Sequence, residues 1–205
     1  HYENKVISFA NYNNVKEVSF KKQYYPALVN EKHVKNDCIL NKNMIISAPN
    51  KGGKTTILKT TAINIIFSQQ FGCGFYESAD IIPFTHIHSY INIPDTSGRD
   101  SLFQAESRRC KDIIDIISTN NDKHNHFCIF DELYSGTNPI EAAQAGTAFL
   151  QYLQQFNNVK FMLTTHYISI CRKYKNSQHI QNYKMDVKIN DDDTFMYKYK
   201  LKKGI

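Results

Sequence analysis

The chain predicts an α/β fold, a mostly parallel sheet with helices, preceded by an antiparallel β lead-in and closed by a β-hairpin. Three observations carry this. NMIIS (43–47), FCIF (127–130) and VKFMLTTH (159–166) are short apolar runs of strand length, the pattern of strands buried on both faces. Long segments with helical periodicity lie between them, and strands that alternate with helices build parallel sheets. The last stretch instead alternates apolar and polar residues, which suits an antiparallel ribbon.

The elements follow in order. Residues 1–43 mix β-prone pieces, KVISFA and EVSFKK, with polar turns. YYPALV carries a proline that bars it from a central strand. After NMIIS comes a glycine-rich loop. TTILKTTAINIIFSQQ then runs without Gly or Pro, with Ile57, Leu58, Ala62, Ile65 and Ile66 on a helical period. FGCGFYESADIIPFTHIHSYI reads as strands and loops. DSLFQAESRRCKDIIDIIST predicts a helix with Leu102, Phe103, Cys110, Ile113, Ile114 and Ile117 toward one side. Ser97 or Asp100 would cap it. NPIEAAQAGTAFLQYLQQF opens with Pro139, a first-turn residue, and predicts another helix. Tyr183, Met185, Val187 and Ile189, then Phe195, Tyr197, Tyr199 and Leu201, fall on alternate positions around an acidic turn, NDDD. That predicts a hairpin with one buried face. The expected organisation is a lead-in (1–43), a core (44–182) and the hairpin (183–205), all of one domain.

Composition bounds the function. A chain of 205 residues with 41% hydrophobic residues can bury a core of its own. Its five cysteines are odd in number and form no C-x-x-C pair, which fits a reducing intracellular compartment. No apolar run reaches membrane-span length, and the start lacks the shape of a signal peptide. The absent initiator Met and abrupt end suggest a piece of a longer protein. The net charge of +6 is spread along the chain, permitting nucleic-acid contact without requiring it. His86/His88 and His124/His126 each have the spacing of half a metal site. No Cys or acid cluster completes either in sequence, so both pairs read as surface or strand positions.

Chemistry concentrates where strands end, which is where ligands sit on parallel sheets. APNKGGKT (48–55) follows the phosphate-binding pattern G-x-x-x-x-G-K-[ST], with Ala48 in place of the first glycine. Gly52 and Gly53 would let backbone N–H groups approach phosphate oxygens. Lys54 would neutralise the β- and γ-phosphates and Thr55 would ligate Mg²⁺. The strand, loop and helix around it are the context that this motif needs. FCIF ends in Asp131 and Glu132. Asp131 suits Mg²⁺, and Glu132 would orient or deprotonate a water in line with the γ-phosphate. VKFMLTTH ends in His166, placed to sense the γ-phosphate or polarise water. Ser101 would lie near a helix N-terminus, where donors face an anion.

Taken together, these motifs resemble the ATPase domain of the MutS family of DNA mismatch-repair proteins. The family loop reads G-P-N-x-G-G-K-[ST], matched by Pro49, Asn50, Gly52, Gly53, Lys54 and Thr55 around Lys51, with Thr56 next. DELYSGT (131–137) matches D-E-L-x-x-G-T, and Thr165-His166-Tyr167 matches T-H-Y. SGRDSLFQAE resembles S-G-R-S-T-F-x-x-E with one extra residue and Leu102 in place of Thr. NKGGKTT, DELYSGTNPIEA and LTTHY look closer to the divergent MutS-like ATPases of large DNA viruses than to bacterial MutS, which would allow the cytoplasm, the nucleus or a viral replication site. The resemblance covers residues 22–205. It implies a phosphate-loop ATPase of the ABC class that binds ATP or ADP with Mg²⁺ at Asn50–Thr56, with Pro49 in the loop. It implies Thr55 and Asp131 as Mg²⁺ ligands and Glu132 as the water-orienting base, assisted by Asn50 and His166. His33 falls where the family places an aromatic on the adenine. Ser101 matches a serine that reaches the partner subunit's nucleotide, so a second such domain would complete the site, as homodimer or heterodimer. DNA would be held by other parts of the parent protein, and no membrane is involved. Two alternatives stay open: an SMC- or RecN-like ABC ATPase of chromosome maintenance, and a non-hydrolysing nucleotide-binding module.

Overall fold

The computed structural model describes residues 6–12, 15, 17–93, 101–119, 124–190 and 194–205. The elements are β1 (Ser8–Asn11), β2 (Ser19–Gln23), a 3-10 turn (Pro26–Leu28), β3 (Asn36–Ile39), β4 (Asn43–Ser47), α1 (Lys54–Phe71), β5 (Cys73–Gly74), β6 (Ser78–Asp80) and β7 (His86–Tyr90). Then come α2 (Leu102–Thr119), β8 (His126–Asp131), α3 (Pro139–Leu153), β9 (Val159–Thr165), α4 (Ile168–Lys173), β10 (Ile180–Ile189) and β11 (Phe195–Lys203). They divide into two units, residues 1–42, 48–83 and 183–204 in the first, and 43–47, 84–182 and 205 in the second.

In the first unit five strands form a sheet of order β3-β2-β6-β1-β5. The expected antiparallel lead-in is present as β2 against β3 and β6, while β1 pairs parallel to β6. The proline of YYPALV starts the 3-10 turn rather than a strand. Helix α1 packs on β2 and β5. It buries Ile57, Leu58, Ala62 and Ile65 as its period predicts, but Ile66 is exposed. Thr61, Asn64 and Ser68 face inward instead. Their polar groups are paired: Gln23 Nε2 donates to Thr61 Oγ1 at 2.9 Å, and Asn64 Oδ1 accepts from Phe75 N at 2.8 Å. Ser68 Oγ and Tyr76 Oη lie 2.8 Å apart. A buried polar side chain is tolerated only when satisfied in this way, and hydrophobic periodicity cannot register it.

The hairpin forms as read, with β10 antiparallel to β11, but a register shift between Met185 and Val187 interrupts it. The Asn36 side chain serves the irregular backbone, donating to Tyr199 O at 2.9 Å and accepting from Leu201 N at 2.8 Å. The expected continuous buried face does not materialise. Tyr183 and Met185 are buried, whereas Ile189, Phe195 and Tyr199 are exposed. Between the pairs Met185–Leu201 and Val187–Tyr197, β11 carries two extra residues, and Tyr199 in that stretch turns left-handed at φ 52°, so the irregular backbone breaks the alternation there.

In the second unit β4, β9, β8 and β7 lie side by side and parallel, with the opening residues of β10 beyond β4. All five residues of β4 are buried, as expected of a strand covered on both faces. One core gathers Ile45, Tyr90, Cys110, Ile113, Ile117, Cys128, Phe130, Leu150, Phe161 and Leu163 from these strands and from α2 and α3. Pro139 is the first residue of α3, and Asn138 caps it by accepting from Ile140 N and Glu141 N. Helix α4 follows T-H-Y and, at six residues, is too short to show a helical period. Among the described residues, no helix is long and apolar enough to cross a membrane.

The parallel register pairs His86 with His126, which brings the two histidine pairs together. His88 and His126 are buried, not surface positions. His88 Nε2 and His126 Nδ1 are 3.0 Å apart, and His86 stacks on His126 with ring centroids 4.7 Å apart. Among the described residues no three His, Cys, Asp or Glu side chains gather closely enough to hold a metal ion. Burial, then the neighbouring imidazoles, pushes both His88 and His126 from 6.5 down to about 4. The unfolded chain binds these protons more readily, so the stabilisation is complete above pH 6.5 and lost as pH falls toward about 4. The urea midpoint should therefore drop across that window, and His88→Asn should flatten the dependence. An equally steep drop in the variant would exclude the cluster as its source.

Candidate nucleotide-binding and catalytic residues

The glycine-rich loop belongs to the first unit. Gly52 N donates to Pro49 O at 3.1 Å, which closes a turn. A Cβ on Gly52 would lie 2.9 Å from that carbonyl and 3.0 Å from the Ala48 Cβ, so the turn has no room for one. Gly53 precedes α1 with φ 88°, a left-handed conformation that favours glycine. Lys51 also adopts positive φ, while Ala48 does not. Lys54 is buried at the start of α1, and its Nζ donates to Ala48 O at 2.9 Å. The ammonium is thus held against the loop that it would serve, and Thr55 and Thr56 share its first helical turn.

A cavity of about 240 Å³ opens beside this turn. Its lining brings Gly53 and Thr56 together with Tyr24, His33, Met185 and Tyr199. His33 stacks on Tyr24 with centroids 4.4 Å apart and planes 18° apart. Its Nδ1 faces Leu28 O and Glu31 O, each at 2.9 Å. Carbonyls only accept, so Nδ1 is the donor in this contact. The sequence pointed to His33 but missed Tyr24 and Tyr199. Tyr199 sits against Gly53, whose Cβ would come within 3.0 Å of its ring. Only the hairpin's return to α1 could reveal that contact. Asn50 and Pro49 are exposed on the loop.

The acidic and histidine motifs belong to the second unit, at neighbouring strand ends. Asp131 and Thr164 are register partners on β8 and β9, and the Thr164 hydroxyl donates to the Asp131 carboxylate. The next residue, Glu132, turns left-handed at φ 54°, and Tyr134 does so at φ 58°. Two such residues store on the order of 1–3 kcal/mol each. Glu132 Oε1 lies 3.4 Å from His166 Nδ1, so the two side chains named separately from sequence meet. The backbone after Glu132 is held by its neighbours. Glu132 N donates to Thr164 O at 3.1 Å and Tyr134 N to Tyr90 Oη at 3.2 Å. Glu106, 1% exposed, accepts from Ser135 N, Ser135 Oγ and Gly136 N.

Ser97 and Asp100 lie outside the described residues. Ser101 itself caps α2: Gln104 N donates to its hydroxyl at 3.3 Å, and Ser101 N donates to Gln104 Oε1 at 2.8 Å. This is a reciprocal capping box, which the spacing S-x-x-Q would have shown. Ser101 remains exposed.

A protein-family model described as MutS domain V matches residues 44–205. The chain belongs to the MutS family. MutS domain V is the ATPase domain of MutS proteins. The match thus sets aside the SMC- and RecN-like alternative. Among similar curated proteins, Endonuclease MutS2 of Staphylococcus aureus is 29% identical over 92% of this chain and 26% of its own length. Endonuclease MutS2 of Streptococcus agalactiae is 30% identical over 87% of the chain and 23% of its own. DNA mismatch repair protein MutS of Persephonella marina is 26% identical over 92% of the chain and 22% of its own. The chain therefore spans about a quarter of the length of these MutS relatives.

Gly136 distinguishes packing from catalysis in the MutS D-E-L-x-x-G-T segment. A Cβ there would lie 2.7 Å from Leu102 Cγ and 2.8 Å from Phe103 N. Gly136→Ala should lower unfolding stability by about 1–3 kcal/mol, the scale of overpacking, in a urea titration. A neutral result would show that the start of α2 can yield.

Proposed function

We propose that this chain is the ATP-binding and ATP-hydrolysing domain of a MutS-like DNA mismatch-repair or recombination protein, an ATPase of the ABC class. The observation that carries this is the cavity beside the first turn of α1. Residues remote in sequence, Tyr24, His33, Met185 and Tyr199, line it together with Gly53 and Thr56. Flat rings beside a glycine-rich helix start supply both a surface for a base and donors for phosphates.

Pro49, Asn50, Lys51, Gly52, Gly53, Lys54, Thr55 and Thr56 bind the phosphates, and His33 takes the adenine. Lys54 must leave the Ala48 carbonyl to meet them, an exchange of a neutral acceptor for a charged one that favours binding. The Thr55 hydroxyl and Asp131 carboxylate are hard oxygen donors of the kind that suit Mg²⁺ among phosphates and water. When bound, that ion supplies charge neutralisation at the phosphates. Glu132 orients the attacking water, and the His166 ring beside it holds its carboxylate in place, with Asn50 assisting. Ser101 completes the site of a second MutS-like domain, homologous or identical, and turnover drives a change in the DNA clamp. DNA is contacted by other parts of the parent protein, in an intracellular setting.

Glu132→Ala should retain ATP binding and abolish turnover; undiminished phosphate release would remove Glu132 from this role. Specific activity should rise with protein concentration, since the site is shared between two copies. Concentration-independent activity would overturn the shared site. ATP binding without turnover by the unaltered chain would establish the non-hydrolysing module instead. Ala48→Gly should change ATP affinity by less than about 1 kcal/mol, as measured by nucleotide titration.

A further inference from the structure

We propose that Glu106 is a positioning residue for hydrolysis: its buried carboxylate ties the first turns of α2 to the backbone after Glu132 and so fixes the direction of the Glu132 side chain. This rests on the assignment of Glu132 to the attacking water.

Two independent observations meet in it. First, the backbone at Glu132 and Tyr134 is left-handed although neither is glycine. Such residues relax unless their surroundings over-determine them. Relaxation at Glu132 to an ordinary conformation would swing its carboxylate away from His166, now 3.4 Å distant. Second, the Glu106 side chain spends its acceptors on this loop. Ser135 N is 2.8 Å and Ser135 Oγ 2.9 Å from Oε1, and Gly136 N is 3.0 Å from Oε2. Bonds from neutral donors to a buried carboxylate are charge-assisted and strong. They bind both carboxylate oxygens, so the loop can neither rotate about one bond nor slide along α2. Gly136 completes the fit by lying directly on Leu102 and Phe103.

The hydrogen bonds that this acid accepts come from Ser135 and Gly136, three and four residues beyond Glu132. Its loss should therefore appear as lost turnover with binding retained. Glu106→Gln keeps the size of the side chain but turns one acceptor into a donor facing N–H groups. On the full chain, we expect kcat to fall by about 10- to 100-fold, the range for a misplaced catalytic group. Affinity for ATP, read with a fluorescent nucleotide, should stay within about twofold. Amide exchange should quicken by about tenfold or more at Ser135 and Gly136 while β9 and α1 keep their protection.

Unchanged kcat in Glu106→Gln would overturn the proposal, and so would exchange that quickens throughout the chain, or kcat and affinity that fall together. Unaltered exchange at Ser135 and Gly136 would overturn the clamp itself. Absence of turnover in the unaltered chain would instead defeat the hydrolysis reading, and is recognised before any variant is made.

Discussion

The left-handed backbone at Glu132 and Tyr134 is the constraint around which the second unit is arranged. A parallel strand that ends in two acids must turn sharply, because continuing would carry both carboxylates along the sheet edge. The turn needs partners for every N–H that it exposes. Thr164 of β9, Tyr90 of β7 and Glu106 of α2 each supply one or more. Three elements thus converge on five residues. The adjacent register, Asp131 against Thr164 and Tyr90 against Phe130, follows from the same arrangement. Strain at the turn is held by an apolar core whose members come from the same strands and helix.

The first unit solves a different problem. Its loop must leave backbone donors at the helix start, so Gly53 provides no side-chain cap. The cost is met lower in the helix, where Thr60, Thr61 and Ser68 donate to carbonyls one turn back and Asn64 pairs with Phe75. The same side chains bind α1 to β2 through Gln23. A helix so anchored can open on a glycine without fraying.

Much of this was legible in the sequence. The three buried strands and the long helices are periodic and uninterrupted, the hairpin shows its alternation, and the loop, acid and histidine motifs follow strands, where a parallel sheet places ligands. The misses share one cause: polar or aromatic residues whose partners are far away in the chain. Asn64 and Thr61 lie outside the apolar period of α1, and their burial is explained only by Gln23 and Phe75 beside them. Glu106 matches the final acid of S-G-R-S-T-F-x-x-E, but only the structure shows it meeting Ser135 and Gly136. The histidine pairs read as surface or strand positions, and β7 and β8 do hold His86, His88 and His126, but only the β7–β8 register shows that the pairs meet. Tyr199 falls in an alternating pattern that predicts burial, yet the bulge turns it toward Gly53. Periodicity reports what a segment does with its own neighbours, and these residues are explained by someone else's.

Ala48 illustrates how a departure from a family pattern can be harmless. What this position gives the loop is its carbonyl oxygen, which holds Lys54, and a carbonyl is independent of the side chain. Its φ is not positive, so an L-residue carries no backbone penalty. Its methyl group occupies the space left by the missing side chain of Gly52, since Cβ atoms at both positions would stand 3.0 Å apart. The two positions therefore share one small volume, and only one of them can fill it. Alanine at 48 with glycine at 52 is one solution; two alanines would collide with each other and with the Pro49 carbonyl. The loop's requirement falls on Gly52 and Gly53, one for space and the other for φ, and a methyl group at its first position leaves both intact.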